Sequence, residues 1–105
     1  MRLGPLERRV LEMLWSRAGD ARVRDLQPSF PEIAYTTLMT TLDRLHRKGV
    51  LDRVPDGRAF AYRPRVTRAE AVLSFLVDEV GPLDADALDA LERLVRERRR
   101  ALEEP

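Results

Sequence analysis

Residues 35 to 49 read YTTLMTTLDRLHRKG, and this stretch decides the fold of the chain. Leu38, Leu42 and Leu45 recur at steps of three and four residues, which is the spacing of one face of an α-helix. The pattern predicts a helix over about residues 35 to 48, and the glycine that follows it is a typical helix stop. This helix would bury its leucine side against the rest of the domain.

The opposite side of the predicted helix is rich in threonine and arginine. With Leu42 at the centre of the buried side, a step of about 100° per residue places four side chains opposite the core and three on its flanks. Threonine is a mediocre helix former, so four of them within six positions indicate a role other than folding. Opposite the core lie Thr37, Thr40, Arg44 and Arg47, with Thr36, Thr41 and Lys48 on the flanks.

Such a face has the chemistry that double-stranded DNA requires. Threonine hydroxyls can bond base edges or phosphates, their methyl groups can contact thymine methyls, and arginine can bind guanine or phosphate through two parallel hydrogen bonds. The competing interpretation is an ordinary solvated helix face. We favour DNA binding because a basic hairpin follows directly in the sequence.

That hairpin is predicted from residues 51 to 63, LDRVPDGRAFAYR. The strands LDRV and RAFAYR are joined by PDG, and Asp-Gly is a strong hairpin-turn signal. Arg53 and Arg58 bracket the turn, which predicts contacts with the DNA backbone or the minor groove. Phe60 and Tyr62 share one face of the second strand and are predicted to pack the hairpin onto the domain.

Two helices are predicted ahead of this region. The first begins after Gly4 and ends near Gly19, and a short second helix over residues 24 to 27 is closed off by Pro28. Residues 21 to 23 suit one short strand. Helix, short helix, threonine-rich helix and basic hairpin, in this order, predict a mainly α winged helix-turn-helix domain over residues 1 to 65. The apolar stripe of the first helix is Leu6, Val10, Leu11, Leu14 and Trp15.

The chain changes character in residues 66 to 105. Thr67 and Glu70 have the spacing of a capping box at the start of a fourth helix, and Asp84 is the predicted N-cap of a fifth. Both helices carry more apolar side chains than one small domain can cover, so we predict that they pair with a second copy of the chain. The predicted dimer contacts are Val72, Leu73, Phe75, Leu76, Val77, Val80, Leu88, Leu91, Leu94, Val95 and Leu102.

The net charge of +1 conceals an asymmetry between these two parts. Residues 1 to 65 hold 13 Lys and Arg against 8 Asp and Glu, a net +5, whereas residues 66 to 105 hold 6 against 10, a net −4. A basic first part suits a polyanion such as DNA, and an acidic second part suits another partner.

Several function classes are disfavoured by what the 105 residues contain. There is no cysteine, and His46 is the only histidine and falls on the buried side of its predicted helix. We therefore expect no metal site and no cofactor. No serine has a histidine nearby in sequence to activate it, so we expect no enzymatic activity. No apolar run suits a secretion signal or a membrane span, so we expect a cytoplasmic protein without a membrane partner.

Four stretches together resemble the penicillinase-repressor (BlaI/MecI/CopY) family of transcriptional regulators. They are LGPLE at residues 3 to 7, VLEMLW at 10 to 15, YTTLMTTLDRLHRKG at 35 to 49 and RAFAYRP at 58 to 64. The resemblance covers residues 3 to about 70. It implies a winged helix repressor that binds a palindromic operator as a dimer through its C-terminal helices. It also implies that Thr37, Thr40 and Arg44 lie on the recognition helix and that Arg58 belongs to the wing.

The chain departs from the family pattern in its C-terminal part. Two helices are predicted here, where family members typically have three. The family's antibiotic-responsive members are cleaved at an Asn-Phe bond and its copper-responsive members carry paired Cys-x-Cys motifs, but this sequence contains neither asparagine nor cysteine. The sequence therefore does not support a regulatory protease or thiolate metal sensing. The alternative function is a winged helix module that binds another protein and no DNA.

Overall fold

The computed structural model describes residues 2 to 104, apart from the side chain of Val80. Five α-helices, one 3-10 turn and one two-stranded antiparallel sheet follow one another along the chain. The helices are α1 (Pro5–Ser16), α2 (Val23–Leu26), α3 (Tyr35–Arg47), α4 (Arg68–Val80) and α5 (Ala85–Glu103), the 3-10 turn is Gln27–Ser29, and the strands are β1 (Leu51–Asp56) and β2 (Ala59–Pro64).

One hydrophobic core lies between α1, α2, α3 and the base of the hairpin. Each helix contributes the apolar side that its spacing predicts, and burying a large aliphatic side chain is worth roughly 1.5–3 kcal/mol. The structure confirms the predicted fold class, which is mainly α with a small β-hairpin in a winged-helix arrangement. The core side chains without exposed surface are Val10, Leu11, Leu26, Leu38, Leu42, Leu45 and Leu51.

The ends of the first elements differ from the prediction by a few residues. Helix α1 ends at Ser16 rather than near Gly19, because Arg17 already has extended backbone angles. Pro28 lies within the 3-10 turn that continues α2, where its missing N–H leaves no hydrogen bond unmade. In place of the short strand over residues 21 to 23, the structure has a single bridge between Ala21 and the hairpin.

The hairpin is longer at its tip than predicted. β1 continues to Asp56, which pairs with Ala59, so Gly57 and Arg58 form a two-residue turn, and Gly57 has φ +64°. Tyr62 is buried as predicted, but Phe60 is 41% exposed. Phe60 pairs with Pro55 near the tip, beyond the body of the domain, so the prediction that it packs on the domain is wrong.

Both predicted caps of the C-terminal helices are present. The Thr67 hydroxyl accepts the Glu70 N–H at 3.0 Å, and the Glu70 carboxylate accepts the Thr67 N–H at 3.2 Å. At the start of α5, Asp84 accepts the Ala87 N–H at 2.8 Å. Helix α4 ends at Val80, and the following residue, Gly81, caps it with φ +76°.

Helix α4 packs along α1 by one side only. The indole N–H of Trp15 donates to the carbonyl oxygen of Val66 at 2.9 Å, and Ala71 is buried in the contact. Arg68 forms an ion pair with Glu12 at 3.2 Å. No residue of α5 is buried. Across residues 2 to 104, no helix is both long and apolar enough to cross a membrane.

Candidate nucleic-acid interface

Helix α3 buries one more residue than the leucine spacing predicted. Thr41 is only 5% exposed, and its hydroxyl donates to the carbonyl oxygen of Thr37 at 2.7 Å. Thr41 lies beside Leu38, Leu42 and Leu45 on the core side. The neighbouring elements bury a larger part of the helix circumference than the three leucines alone occupy. The prediction that Thr41 flanks the exposed face is therefore corrected.

Because Thr41 belongs to the buried side, the centre of the exposed face of α3 shifts away from it. This centre is formed by Thr36, Thr40 and Arg47, and Thr37 and Arg44 lie to one side of it. The Thr40 hydroxyl donates to the carbonyl oxygen of Thr36 at 2.9 Å. The hydroxyl proton is therefore already donated within the helix, while the hydroxyl oxygen can still accept a hydrogen bond and the methyl group can still make apolar contacts. In this state Thr40 can accept a hydrogen bond from the amino group of adenine or cytosine, or contact a thymine methyl.

Two exposed side chains on this helix escaped the sequence reasoning. Tyr35 is 50% exposed and Met39 is 46% exposed, and they lie one turn apart. Large apolar side chains at positions i and i+4, outside the leucine stripe, are the signal that would have identified them. They give one edge of the α3 face an apolar surface.

The arginines of α3 and the hairpin divide into two groups. Within residues 2 to 104, the guanidinium groups of Arg44 and Arg58 make no hydrogen bond or ion pair. Arg47 and Arg53 instead share Asp43, with nitrogen–oxygen distances of 3.0 and 3.3 Å. Asp43 thus joins the exposed face of α3 to the hairpin.

Arg53 is held from a second side by an aromatic ring. Its guanidinium carbon lies 4.2 Å from the centroid of the Phe60 ring. This is the geometry of a cation–π contact, which attracts an arginine to the face of the ring. The exposed Phe60 therefore has a local function in the hairpin, because it fixes the position of Arg53.

Lys48 makes contacts that the sequence did not predict. Its ammonium lies 2.8 and 2.9 Å from the two carboxylate oxygens of Glu7, and it also donates to the carbonyl oxygen of Arg2 at 2.9 Å. These bonds tie the C-terminal end of α3 to the start of α1. Lys48 thus makes a structural contact in this state, and its contact with DNA stays a prediction.

Glu7 is the buried partner in this contact. It is 6% exposed, and it also accepts the backbone N–H of Gly4 at 3.0 Å, which caps α1. Burial by itself raises the pKa of Glu7, but the hydrogen bonds from Lys48 and Gly4 and the charges of Lys48 and Arg44 outweigh it, so that the pKa is lowered. Glu7 is therefore a carboxylate at neutral pH.

Three further ion pairs involve the hairpin or the residue that follows it. Arg65 lies 2.8 Å from Asp52, and the other two pairs join the hairpin to the segment after α1. The basic charge of the hairpin is thus largely compensated, and Arg58 at the turn is its unpaired cation within the part of the chain that the structure describes. The two joining pairs are Arg22 with Asp56 at 2.9 Å and Arg63 with Asp20 at 3.4 Å.

The structure shows no arrangement suited to a metal. Within residues 2 to 104, no three histidine, cysteine, aspartate or glutamate side chains come close enough to hold an ion. His46 is half-buried on α3, on the side that its spacing predicts.

The predicted dimer contacts lie on α4 and α5, and most of them are exposed. Leu76 and Leu91 are partly covered, and the prediction for Val80 concerns a side chain outside the described residues. Phe75 lies on the α1 side, where the guanidinium carbon of Arg8 is 5.8 Å from the centroid of its ring. The exposed members are Val72, Leu73, Phe75, Val77, Leu88, Leu94, Val95 and Leu102.

A three-helix core with a paired hairpin behind an exposed threonine-and-arginine helix defines the class of winged-helix transcription regulators. Residues 3–81 match the penicillinase repressor family, and the chain belongs to that family. The family consists of transcriptional repressors and not enzymes, in agreement with the expectation from the sequence. The family match extends through α4, beyond the stretches that carry the resemblance in the sequence.

Individual relatives agree with this assignment. The chain is 34% identical over 116 residues to the transcriptional regulator BlaI of Mycobacterium tuberculosis, covering 91% of this chain and 84% of that protein. Among solved structures it is similar to M. tuberculosis Rv0081, with a TM-score of 0.54 and 27% identity over 90% of this chain and 82% of that chain. A MarR family protein from Bacillus stearothermophilus shares the fold, with a TM-score of 0.55 and 20% identity over 99% of this chain and 78% of that chain.

Proposed function

We propose that this chain is a cytoplasmic, dimeric repressor that binds a palindromic operator with α3 in the major groove. One observation carries the proposal: α3 directs threonines and an unpaired arginine away from the core, on the helix that precedes the exposed hairpin turn with Arg58. Residues 1 to 65 are the proposed DNA-binding domain and residues 66 to 105 the proposed dimerisation region.

Each exposed group on this face has a distinct proposed role. Thr36, Thr37 and Thr40 meet base edges with hydroxyl oxygens and methyl groups, and Arg44 binds guanine or phosphate. Arg58, at the hairpin turn, binds the sugar-phosphate backbone or the minor groove. Arg47 and Arg53 exchange Asp43 for phosphate when DNA approaches. The apolar edge formed by Tyr35 and Met39 adds contacts to thymine methyls or sugars.

Dimerisation meets two needs at once. It covers the exposed apolar side chains of α4 and α5, and it relates two DNA-binding domains by a two-fold axis. Two such domains read a palindrome whose half-sites lie about one helical turn of DNA, or a multiple of it, apart. The net charge of −4 on residues 66 to 105 opposes association only weakly, since exposed charges are screened beyond about 8 Å at physiological salt.

The DNA contact is tested with Arg44→Ala against an operator selected from a random duplex library. We expect a loss of about 1–3 kcal/mol, or roughly 5- to 150-fold in affinity, without a change in thermal stability. Arg17→Ala, which removes an exposed arginine after the end of α1, is the matched control and should leave affinity unchanged. Unchanged binding by Arg44→Ala would show that α3 does not enter the groove. If the unmodified chain binds no duplex at any salt concentration, the chain is a protein-binding module instead.

The dimer is tested with Leu73→Asp, which places a charge on the exposed side of α4. We expect sedimentation equilibrium to show monomers at concentrations where the unmodified chain is dimeric, because a buried unpaired carboxylate is costly. Ser74→Asp adds the same charge at the neighbouring exposed position and serves as the control. A Leu73→Asp chain that remains dimeric would remove α4 from the interface.

A further inference from the structure

We propose that α5 pairs with α5 of a second copy in antiparallel orientation, with the two-fold axis passing close to Val95. This inference rests on the proposed dimer and adds the orientation and register of its helices. It places α5 in the interface as a two-stranded antiparallel seam.

The charges of α5 are divided between its two halves. Residues 84 to 92 contain four acidic side chains and no basic one, whereas residues 93 to 102 contain five arginines and one glutamate. In an antiparallel pair, the acidic half of each helix meets the basic half of the other. A parallel pair sets acid against acid and base against base, which is destabilising. The charge pattern therefore complements itself in one orientation only.

The apolar residues of α5 give the register. Leu88, Val95 and Leu102 recur at seven-residue steps, which is the period of a coiled-coil seam, and all three are exposed. Val95 lies midway between the two leucines. A two-fold axis at Val95 therefore places Leu88 opposite Leu102 of the partner subunit, so that the stripe packs on itself along its length.

The same axis also brings opposite charges together beside the seam. At about 100° per residue, side chains three or four positions from Val95 flank the seam, whereas those two positions away point to the far side of the helix. With the axis at Val95, Glu92 lies beside Arg99 of the partner subunit. Arg98 flanks the other side of the seam beside Leu91 of the partner subunit, where its aliphatic stem can pack.

The helix macrodipole favours the same charge distribution within a single helix, because acidic groups suit the N-terminal end and basic groups the C-terminal end. That effect is confined to the first and last turns. It explains neither the exposed stripe at Leu88, Val95 and Leu102 nor the charges at residues 92 and 99, which lie outside those turns. Pairing of two helices explains both.

Disulfide trapping tests the orientation, because the chain has no cysteine of its own. Fourteen residues of helix span about 21 Å, and a disulfide requires Cα atoms within about 7 Å. We expect oxidised Val95→Cys to form a covalent dimer, and Leu88→Cys and Leu102→Cys each to form none alone. A mixture of the last two variants, after subunit exchange, should form the covalent heterodimer. Ala90→Cys, off the stripe, is the control for random collisions.

The outcomes separate the two proposals. Self-crosslinking of both Leu88→Cys and Leu102→Cys would mean parallel helices and overturn the inference. Failure of Val95→Cys to crosslink while sedimentation shows an intact dimer would overturn the α5 pairing and leave the proposed dimer in place. A monomer in sedimentation would overturn the proposed dimer itself.

Charge reversal gives an independent measurement on the same chain. Glu92→Arg and Arg99→Glu should each weaken dimerisation several-fold, since each sets like charges against one another. The double variant should recover the affinity of the unmodified chain. If the two losses simply add in the double variant, the charges act within one helix and the antiparallel pairing is wrong.

Discussion

The winged domain and the α4–α5 segment are both rich in leucine and valine, yet they use these side chains differently. In the winged domain Leu42 has no exposed surface, whereas Leu94 in α5 is 64% exposed. The first region is complete within one chain, because three helices and a hairpin surround its core. The second region has apolar side chains that remain largely exposed in the single chain. Apolar content alone thus does not locate a core, and where it remains exposed it indicates the need for a partner.

The largest expected difference between the two regions is in how much stability the protein loses when one leucine of each is shortened to alanine. Leu42→Ala leaves a cavity in a closed core and should lower the free energy of unfolding by about 2–5 kcal/mol. Leu94→Ala makes the same change on a surface that is exposed in the single chain, and it should lower the free energy of unfolding by no more than about 0.5 kcal/mol when the protein is dilute enough to be monomeric. Urea unfolding followed by the fluorescence of Trp15 measures both, at one fixed protein concentration because dimerisation shifts apparent stability. Equal losses would show that α5 belongs to the same core.

A smaller loss of stability is expected when the Glu7–Lys48 contact between α1 and α3 is removed. Glu7→Gln keeps the shape of a buried side chain but removes the charge that holds Lys48, and we expect a loss of about 1–3 kcal/mol in unfolding free energy. Glu12→Gln on the same helix breaks the exposed pair with Arg68 and should cost about 0–1 kcal/mol. Chemical denaturation of both variants at neutral pH provides the comparison. A result in which the two losses are equal would show that burial of Glu7 adds nothing.

The pH dependence of the Glu7 variant follows from the lowered pKa of that residue. A carboxyl group with a lower pKa in the folded than in the unfolded state stabilises the fold fully above its unfolded pKa, about 4.3 for glutamate. The contribution is lost as pH falls through the folded pKa. The stability difference between the unmodified chain and Glu7→Gln should therefore shrink in acid. A difference that stays constant down to about pH 3 would contradict the charge-based explanation.

The smallest effect on stability is expected at Asp43. Asp43→Asn releases Arg47 and Arg53 from a half-exposed carboxylate, at a cost of about 0–1 kcal/mol in unfolding free energy. Two arginines then become available for phosphate, so we expect tighter binding to unrelated duplex DNA. The salt slope of that binding should steepen by up to about 2 units, at about 0.9 per phosphate. Asp52→Asn, which releases Arg65 at the base of the hairpin, is the matched control. Identical salt slopes in all three proteins would exclude a role for Asp43 in DNA binding.

Local signals in the sequence were sufficient to predict most of the helices and the hairpin. The caps at Thr67 and Asp84 and the leucine spacing of α3 were predicted correctly, because each depends on residues within four positions of one another. The family motifs within residues 3 to 70 were sufficient to predict that these elements form a winged-helix domain. The DNA contacts of α3 and the dimer contacts stay predictions, because each depends on groups of a second molecule that local signals in one chain do not specify.

The errors concern contacts between residues far apart in the chain. The contact of Lys48 with Glu7 was not predicted, because Glu7 precedes Lys48 by 41 positions and helix spacing carries no information about such a pair. Thr41 was placed on a flank because three leucines define the centre of a buried arc but not its width. Phe60 was predicted to be buried because alternation along a strand does not reveal how far a hairpin extends beyond the domain.

The bridge between Ala21 and Tyr62 has a consequence for the order of folding. The hairpin joins residues close in sequence, whereas this bridge closes a loop of about 40 residues, which costs more chain entropy. We therefore expect the two backbone hydrogen bonds of the bridge, at 3.0 and 2.8 Å, to form later than those of the hairpin. Amide hydrogens of Ala21 and Tyr62 should exchange with solvent as slowly as global unfolding allows, while that of Gly57 at the tip exchanges through local fraying.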